Sequence, residues 1–223
     1  MLEEICKRYN NEIKEILNAL EYGCYEELDQ DTFEDDVVCA FDEHYHKQYG
    51  WDNGATKGVF IFKKFGFVIK IPFNYCDGEE LCGAYEGDSD WDYCSQEKNR
   101  YANAKKFGLQ GIFLETALVG RVDGYPIYIQ PIAQSLTNLG YEFSSNRKTS
   151  KDDMKTIQMI IEENNFGCID SAWEADIFAM YGGKYYHKFK NFIKENYIED
   201  LRNDNIGYVG LKPVILDYAG FDS

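Results

Sequence analysis

Apolar and polar positions recur along this chain with changing periods, and each change marks an element. Leu2, Ile5, Cys6, Tyr9, Ile13, Ile16, Leu17 and Leu20 form one stripe at helical spacing and Gly23 follows, which predicts an amphipathic helix with a glycine stop. The acidic stretch CYEELDQDTFEDDVV (24–38) predicts a short helix or a loop. From Asp42 the pattern turns toward strands. In GVFIFKKFGFVIKIPF (58–73) two apolar runs flank Lys63–Gly66, as in a hairpin. A helix is expected over 93–107, ended by Gly108, and FLETALVGRVDGYPIYIQPIA (113–133) is a second hairpin with Asp123-Gly124 at its turn. Beyond Ile132 helical spacing returns. TSKDDMKTIQMIIEENN (149–165) opens on a Ser/Thr cap, and residues 171–201 make one helix interrupted at Gly182-Gly183, or two. NIGYVGLKPVILD (205–217) closes with a small hairpin around Gly210.

Strands, one helix, strands and then helices predict an α+β fold: an antiparallel sheet with one packed helix, followed by a mainly helical part. The composition shifts near 132–138. The expected division is an N-terminal helical extension (1–40), a sheet-rich lobe (41–132) and a helical lobe (133–223).

Charge narrows the function classes. The 223 residues carry a formal net charge of −16, and no Lys/Arg run interrupts the acidity. Such a surface repels phosphate backbones and anionic lipid, so direct nucleic-acid or membrane binding is not expected. Seven cysteines without a C-x-x-C pair, a secretory signal or a long apolar span predict reduced, mostly buried thiols in a cytoplasmic protein. His44 and His46, read as neighbours on one strand face, lack a third metal ligand nearby. Asp88, Asp90 and Asp92 alternate like the start of a calcium loop. Tyr93 stands where its glycine belongs and Asn99 where its glutamate belongs, so the segment reads as a solvated loop.

Five features carry candidate chemistry. Gly50, Gly54 and Gly58 precede or open a strand, where backbone N–H groups can close on phosphate oxygens; an ordinary turn explains them equally well. Lys70 interrupts an apolar strand and needs an anionic partner or a route to water. Glu97 lies on the helix available to pack on that strand; otherwise it is a solvated helix residue. Asp200 and Asn205, in DLRNDN, place a carboxylate that can orient a hydroxyl five residues before an amide that can face a metal; a capped turn is the plainer reading. Asp217 ends an apolar strand, a position that suits Mg²⁺.

The order of these features resembles the protein kinase-like fold, in a minimal form of bacterial or phage type. Gly50–Gly58 resembles the glycine-rich loop, with Gly54 and Gly58 at the phosphates. Val68-Ile69-Lys70 resembles the lysine strand, and Glu97 the glutamate of the following helix. YIQPIA (128–133) takes the place of the hinge, where the backbone of Gln130 and Ile132 would meet an adenine. DLRNDN has the D-x-x-x-x-N spacing of the catalytic loop, and LDYAG stands where D-F-G belongs. The resemblance runs from about Phe41 onward. It implies a two-lobe fold with a reduced, mainly helical second lobe, ATP and Mg²⁺ as cofactors, Lys70, Glu97 and Asp200 as catalytic residues, and Asn205 and Asp217 as metal ligands. The implied activity is phosphoryl transfer to a hydroxyl of a small molecule or of an unconventionally docked protein.

The chain also departs from the family. Ile198 and Glu199 replace the histidine and arginine of H-R-D, Ala219 replaces the D-F-G glycine, and six residues follow Asp217. These departures imply the alternative: a catalytically weak or inactive pseudokinase that serves as a protein-interaction or inhibitory module for a partner with a basic surface.

Overall fold

The computed structural model describes residues 1–77, 80–82, 92–137, 159 and 169–219. Three expectations lie outside them wholly or in part: the helix over 149–165, the Asp88 and Asp90 positions of the acidic loop, and Cys168. The fold is mixed α+β, built on a five-stranded antiparallel sheet. The chain divides into two compact units. The first comprises Met1–Asn99 and Glu115–Ile132, the second Arg100–Leu114 and Ala133–Ser223.

In the first unit, α1 (Leu2–Arg8) and α2 (Asn10–Leu20) replace the single helix expected from the stripe. The break is at Tyr9, whose backbone leaves the helical region (φ −112°, ψ 24°) while its ring packs on Phe65 and Phe67. The acidic stretch ends as a π-helical turn, Glu34–Val38, that runs directly into α3 (Cys39–His44). Strands therefore begin at Gly50 rather than near Asp42. His44 ends a helix instead of sharing a strand face with His46: its ring stacks on Tyr22 and its Nδ1–H donates to the Ala40 carbonyl.

The strands of the large sheet are β1 (Gly50–Asn53), β2 (Lys57–Phe62), β3 (Phe67–Pro72), β6 (Ala117–Val122) and β7 (Tyr125–Pro131). They lie in the order β1-β2-β3-β7-β6. A two-stranded ribbon, β4 (Tyr75–Asp77) with β5 (Glu80–Cys82), follows β3. Gly66 (φ 77°) and the pair Asp123 (φ 49°) and Gly124 (φ 86°) turn the two hairpins in left-handed conformations.

Strand β3 pairs with β2 through Val59↔Lys70 and with β7 through Lys70↔Tyr128, and side chains alternate faces along each strand. One face carries Phe60, Phe62, Phe67, Ile69, Ile71, Ile127 and Ile129. These join Ile13, Ile16 and Leu20 of α2 and Phe33, Val37 and Phe41 in one apolar cluster. The opposite face carries Lys57, Lys70, Tyr128 and Gln130, all buried. The unit thus has a sheet with one aromatic face and one polar face.

Helix α4 (Tyr93–Lys106) ends at Gly108 (φ 69°) as expected. In the second unit, β8 (Gln134–Ser135), β9 (Ile206–Val209) and β10 (Lys212–Ile215) form a small antiparallel sheet in the order β10-β9-β8. Gly182 (φ 81°) separates α5 (Ser171–Tyr181) from α6 (Gly183–Glu195), so the interrupted pattern makes two helices. Asp170 caps α5 by accepting the Ala172 and Trp173 N–H groups. Trp173, Phe189, Phe192, Ile193, Ile206 and Ile215 build that unit's own apolar cluster, and a Glu174–Lys190 ion pair (2.6 Å) is buried beside it.

Among the described residues Cys6, Cys24, Cys39 and Cys94 are free thiols, of which Cys94 is buried, Cys6 partly buried, and Cys24 and Cys39 exposed. Among the described residues no helix is long and apolar enough to cross a membrane.

Candidate functional site

Lys70 and Glu97 meet on the polar sheet face. The register of β3 sends Lys70 away from the aromatic cluster, and the first turns of α4 bring Glu97 to it. Lys70 Nζ lies 3.0 Å from Glu97 Oε1 and 2.8 Å from Oε2, with the carboxylate wholly buried. An ammonium group taken out of water needs such a partner, and a carboxylate gripped through both oxygens has little freedom to turn.

Three further side chains, unforeseen in these roles, complete the network. Lys57 Nζ is 2.6 Å from Glu97 Oε1, the Thr116 hydroxyl donates to Oε2 (2.8 Å), and Gln130 Nε2 donates to Thr116 Oγ1 (2.9 Å). Lys57 was hidden in the sequence because it sits among glycines and small polar residues, where a solvated lysine is the ordinary reading. Its signal was the strand period, since 57 and 59 share the face of Lys70. Gln130 was expected to act through its backbone, yet here its side chain joins the Glu97 network.

Helix α4 has a second polar anchor. Asp92 accepts the Ser95 N–H (2.8 Å) at the helix start and the Tyr128 hydroxyl, so it is a buried cap rather than part of a solvated loop. Burial holds the Asp92 carboxyl above the usual carboxylate range, against the opposing pull of Tyr128. Burial likewise pushes the neighbouring Cys94 thiol well up, which makes it a poor nucleophile as it stands.

The glycines divide. Gly54 lies in the β1–β2 turn, donates its N–H to the Lys57 carbonyl (3.0 Å) and has open space where a Cβ would be. Gly58 is different. A Cβ there would lie 2.2 Å from the Phe33 ring, on the aromatic side of the sheet. Packing against Phe33 therefore accounts for this glycine, and phosphate approach is not needed to explain it. At the expected hinge, the Ile132 N–H donates to the Gly66 carbonyl (2.9 Å) and Pro131 has no N–H, so neither position offers a spare N–H to a ligand.

In the second unit, Asp200, Asn205 and Asp217 are tied together. Asn205 Nδ2 donates to the Asp200 carbonyl (2.8 Å) and to its Oδ2 (3.0 Å). The Asn205 carbonyl accepts the Leu216 N–H (2.7 Å) and the Asp217 N–H (3.3 Å), which fixes Asp217 beside the DLRNDN turn. Tyr218 anchors the following residues: it is buried, its hydroxyl donates to the Leu114 carbonyl (2.5 Å), and its own carbonyl accepts from Arg100.

Asn205 spends its amide nitrogen on Asp200, and its amide oxygen is not used in those contacts. Amide oxygen and carboxylate are the hard donors Mg²⁺ takes, usually alongside phosphate oxygens and water. These residues fit that ion as a partial ligand set. No group of three or more His, Cys, Asp or Glu able to hold a metal occurs among the described residues.

Arg202 is the other unforeseen member. Its Nε lies 2.6 Å from Asp200 Oδ1 and Nη2 3.1 Å from Oδ2, a forked pair at an exposed position. Asp200, and more distantly Asp204 and Asp217, raise the guanidinium pKa further. Compared with family models, with curated proteins and with solved structures, the chain matches none.

Proposed function

We propose that the chain binds ATP with Mg²⁺ on a kinase-like two-lobe fold and transfers a phosphoryl group to a hydroxyl of a small molecule or protein. The observation that carries this reading is the wholly buried Glu97 carboxylate gripping Lys70 through both oxygens. That arrangement orients an ammonium group that otherwise has no reason to sit inside an apolar strand. Lys70 would hold the phosphate oxygens, Asn205 and Asp217 would hold the metal, and Asp200 would orient the attacking hydroxyl and take its proton. Bound Mg²⁺ would supply neutralisation of the phosphate charge.

A second reading is supported by Arg202. With its fork on Asp200, the carboxylate expected to act as base already holds a cation. This favours a nucleotide-binding protein with weak or no transfer, acting through a partner with a basic surface that complements the net charge of −16.

The test is thermal unfolding with ATP in the presence of Mg²⁺ or EDTA, on the wild type and on Asp217→Asn. The proposal expects a metal-dependent rise in the midpoint that the variant loses. No rise in the wild type sinks it. A rise without γ-phosphate loss to any tested acceptor favours the second reading.

A further inference from the structure

Glu97 serves two lysines, and the nucleotide reading above uses only one of them. We propose that Lys57 is a second phosphate-binding residue, and that Glu97 positions the Lys57 and Lys70 ammonium groups side by side for a polyphosphate chain; this inference rests on that reading.

The sheet register comes first. Lys57 pairs with Pro72 and Val59 with Lys70, so the two lysines stand on the same face of adjacent strands. Their contacts then converge on one atom. Glu97 Oε1 lies 2.6 Å from Lys57 Nζ and 3.0 Å from Lys70 Nζ, so the nitrogens are no further apart than those two bonds laid end to end. Like charges that close oppose folding. Lys70 across both oxygens, the Thr116 hydroxyl and Lys57 together make four hydrogen bonds to Glu97, so the one carboxylate fixes both ammonium groups in place. Two ammonium groups fixed this close together on one sheet face suit a ligand with more than one negative oxygen.

Polyphosphate has that chemistry, because its anionic oxygens recur along a short chain and each can accept a charge-assisted hydrogen bond from an ammonium group. Both lysine side chains are only 6% exposed, and in such surroundings attraction to an anion is stronger than in water. Lys57 also follows directly on the Gly54–Thr56 turn, so the β1–β2 hairpin contributes a side chain to the site.

The experiment is calorimetric titration of the wild type, Lys57→Met and Lys57→Arg with MgATP, magnesium tripolyphosphate and adenosine. The expected result is a loss of about tenfold or more in affinity for ATP and tripolyphosphate in Lys57→Met. Adenosine affinity should move by less than about twofold, and Lys57→Arg should recover most of the loss. Unchanged ATP affinity in Lys57→Met overturns the proposal, as does an equal loss for adenosine, which marks a purely structural lysine. A wild type that binds neither ATP nor tripolyphosphate overturns the nucleotide reading and this inference together. Binding by the wild type with no effect of the substitution removes only this inference. Should Lys57→Met fail to fold, Lys57→Gln keeps a donor for Glu97 without the charge and carries the same comparison.

Discussion

A carboxylate shared by two ammonium groups makes its substitutions unequal. Glu97→Ala would leave Lys57 and Lys70 facing one another inside the protein, and breaking a buried pair this way costs roughly 3–5 kcal/mol. Lys70→Met leaves Lys57 on Glu97 and should cost distinctly less; urea unfolding of the two variants reads the difference directly. Tyr185 poses a different question. Its hydroxyl is buried and makes no well-formed hydrogen bond among the described residues, with the Gly111 backbone close enough to interact, and burial beside Tyr181 pushes its pKa up to about 12. An unfolded tyrosine ionises near its ordinary value of 10.0, so between there and about 12 only the unfolded state gives up the proton. Stability from this group is therefore complete below pH 10 and falls as pH rises through that window. Tyr185→Phe should be neutral or stabilising at about pH 7 and should reduce the alkaline slope of the unfolding midpoint. The slope that remains comes from the other raised phenols, Tyr25, Tyr45, Tyr49, Tyr125, Tyr128 and Tyr186 among them, which burial raises further still.

Among the elements, the N-terminal helices matter to the sheet more than their place in the sequence suggests. Ile13, Ile16 and Leu20 of α2 cover the face formed by Phe60, Phe62, Ile69 and Ile127, and Leu17 closes on Gly120 of β6. A chain lacking residues 1–22 should therefore expose that face. Dye binding to apolar surface should rise, and cooperative unfolding of the first unit should be lost. The turns were the most legible features of the sequence. Gly66, Gly124 and Gly210 stand at positive φ, a conformation that side chains resist, so each announced its hairpin. Helix α4 and the meeting of Glu97 with Lys70 also followed from strand and helix periods. What stayed hidden has physical causes. Nothing local breaks the stripe at Tyr9; the break accompanies packing of its ring on Phe65 and Phe67, far along the chain. The π-helical turn before α3 inserts extra residues per turn, which blurs the spacing of Phe33, Val37, Val38 and Phe41 among exposed acids. Lys57 and Arg202 did not stand out, because their sequence neighbours give no hint of the ion pairs that folding makes for them.

For the molecule as a whole, charge is the dominant property. A net charge of −16 repels itself as well as other anions. The unfolding midpoint should therefore rise between low salt and about 0.5 M NaCl as screening shortens the reach of that repulsion. Random-sequence duplex DNA should not be retained in filter binding. A salt-dependent fall in the midpoint would instead indicate that ion pairs such as Lys47 with Glu12 and Glu15 outweigh the repulsion. The aromatic face has one more consequence, which concerns descent rather than stability. Gly58 is glycine because the Phe33 ring fills the space beside it. In any lineage that keeps this sheet, position 58 is free to acquire a side chain only after position 33 gives up its ring. A library randomised at both positions should return glycine with aromatics and alanine or serine with small partners. That pairing would expose as a packing covariation what an alignment column alone would present as an invariant glycine of a nucleotide loop.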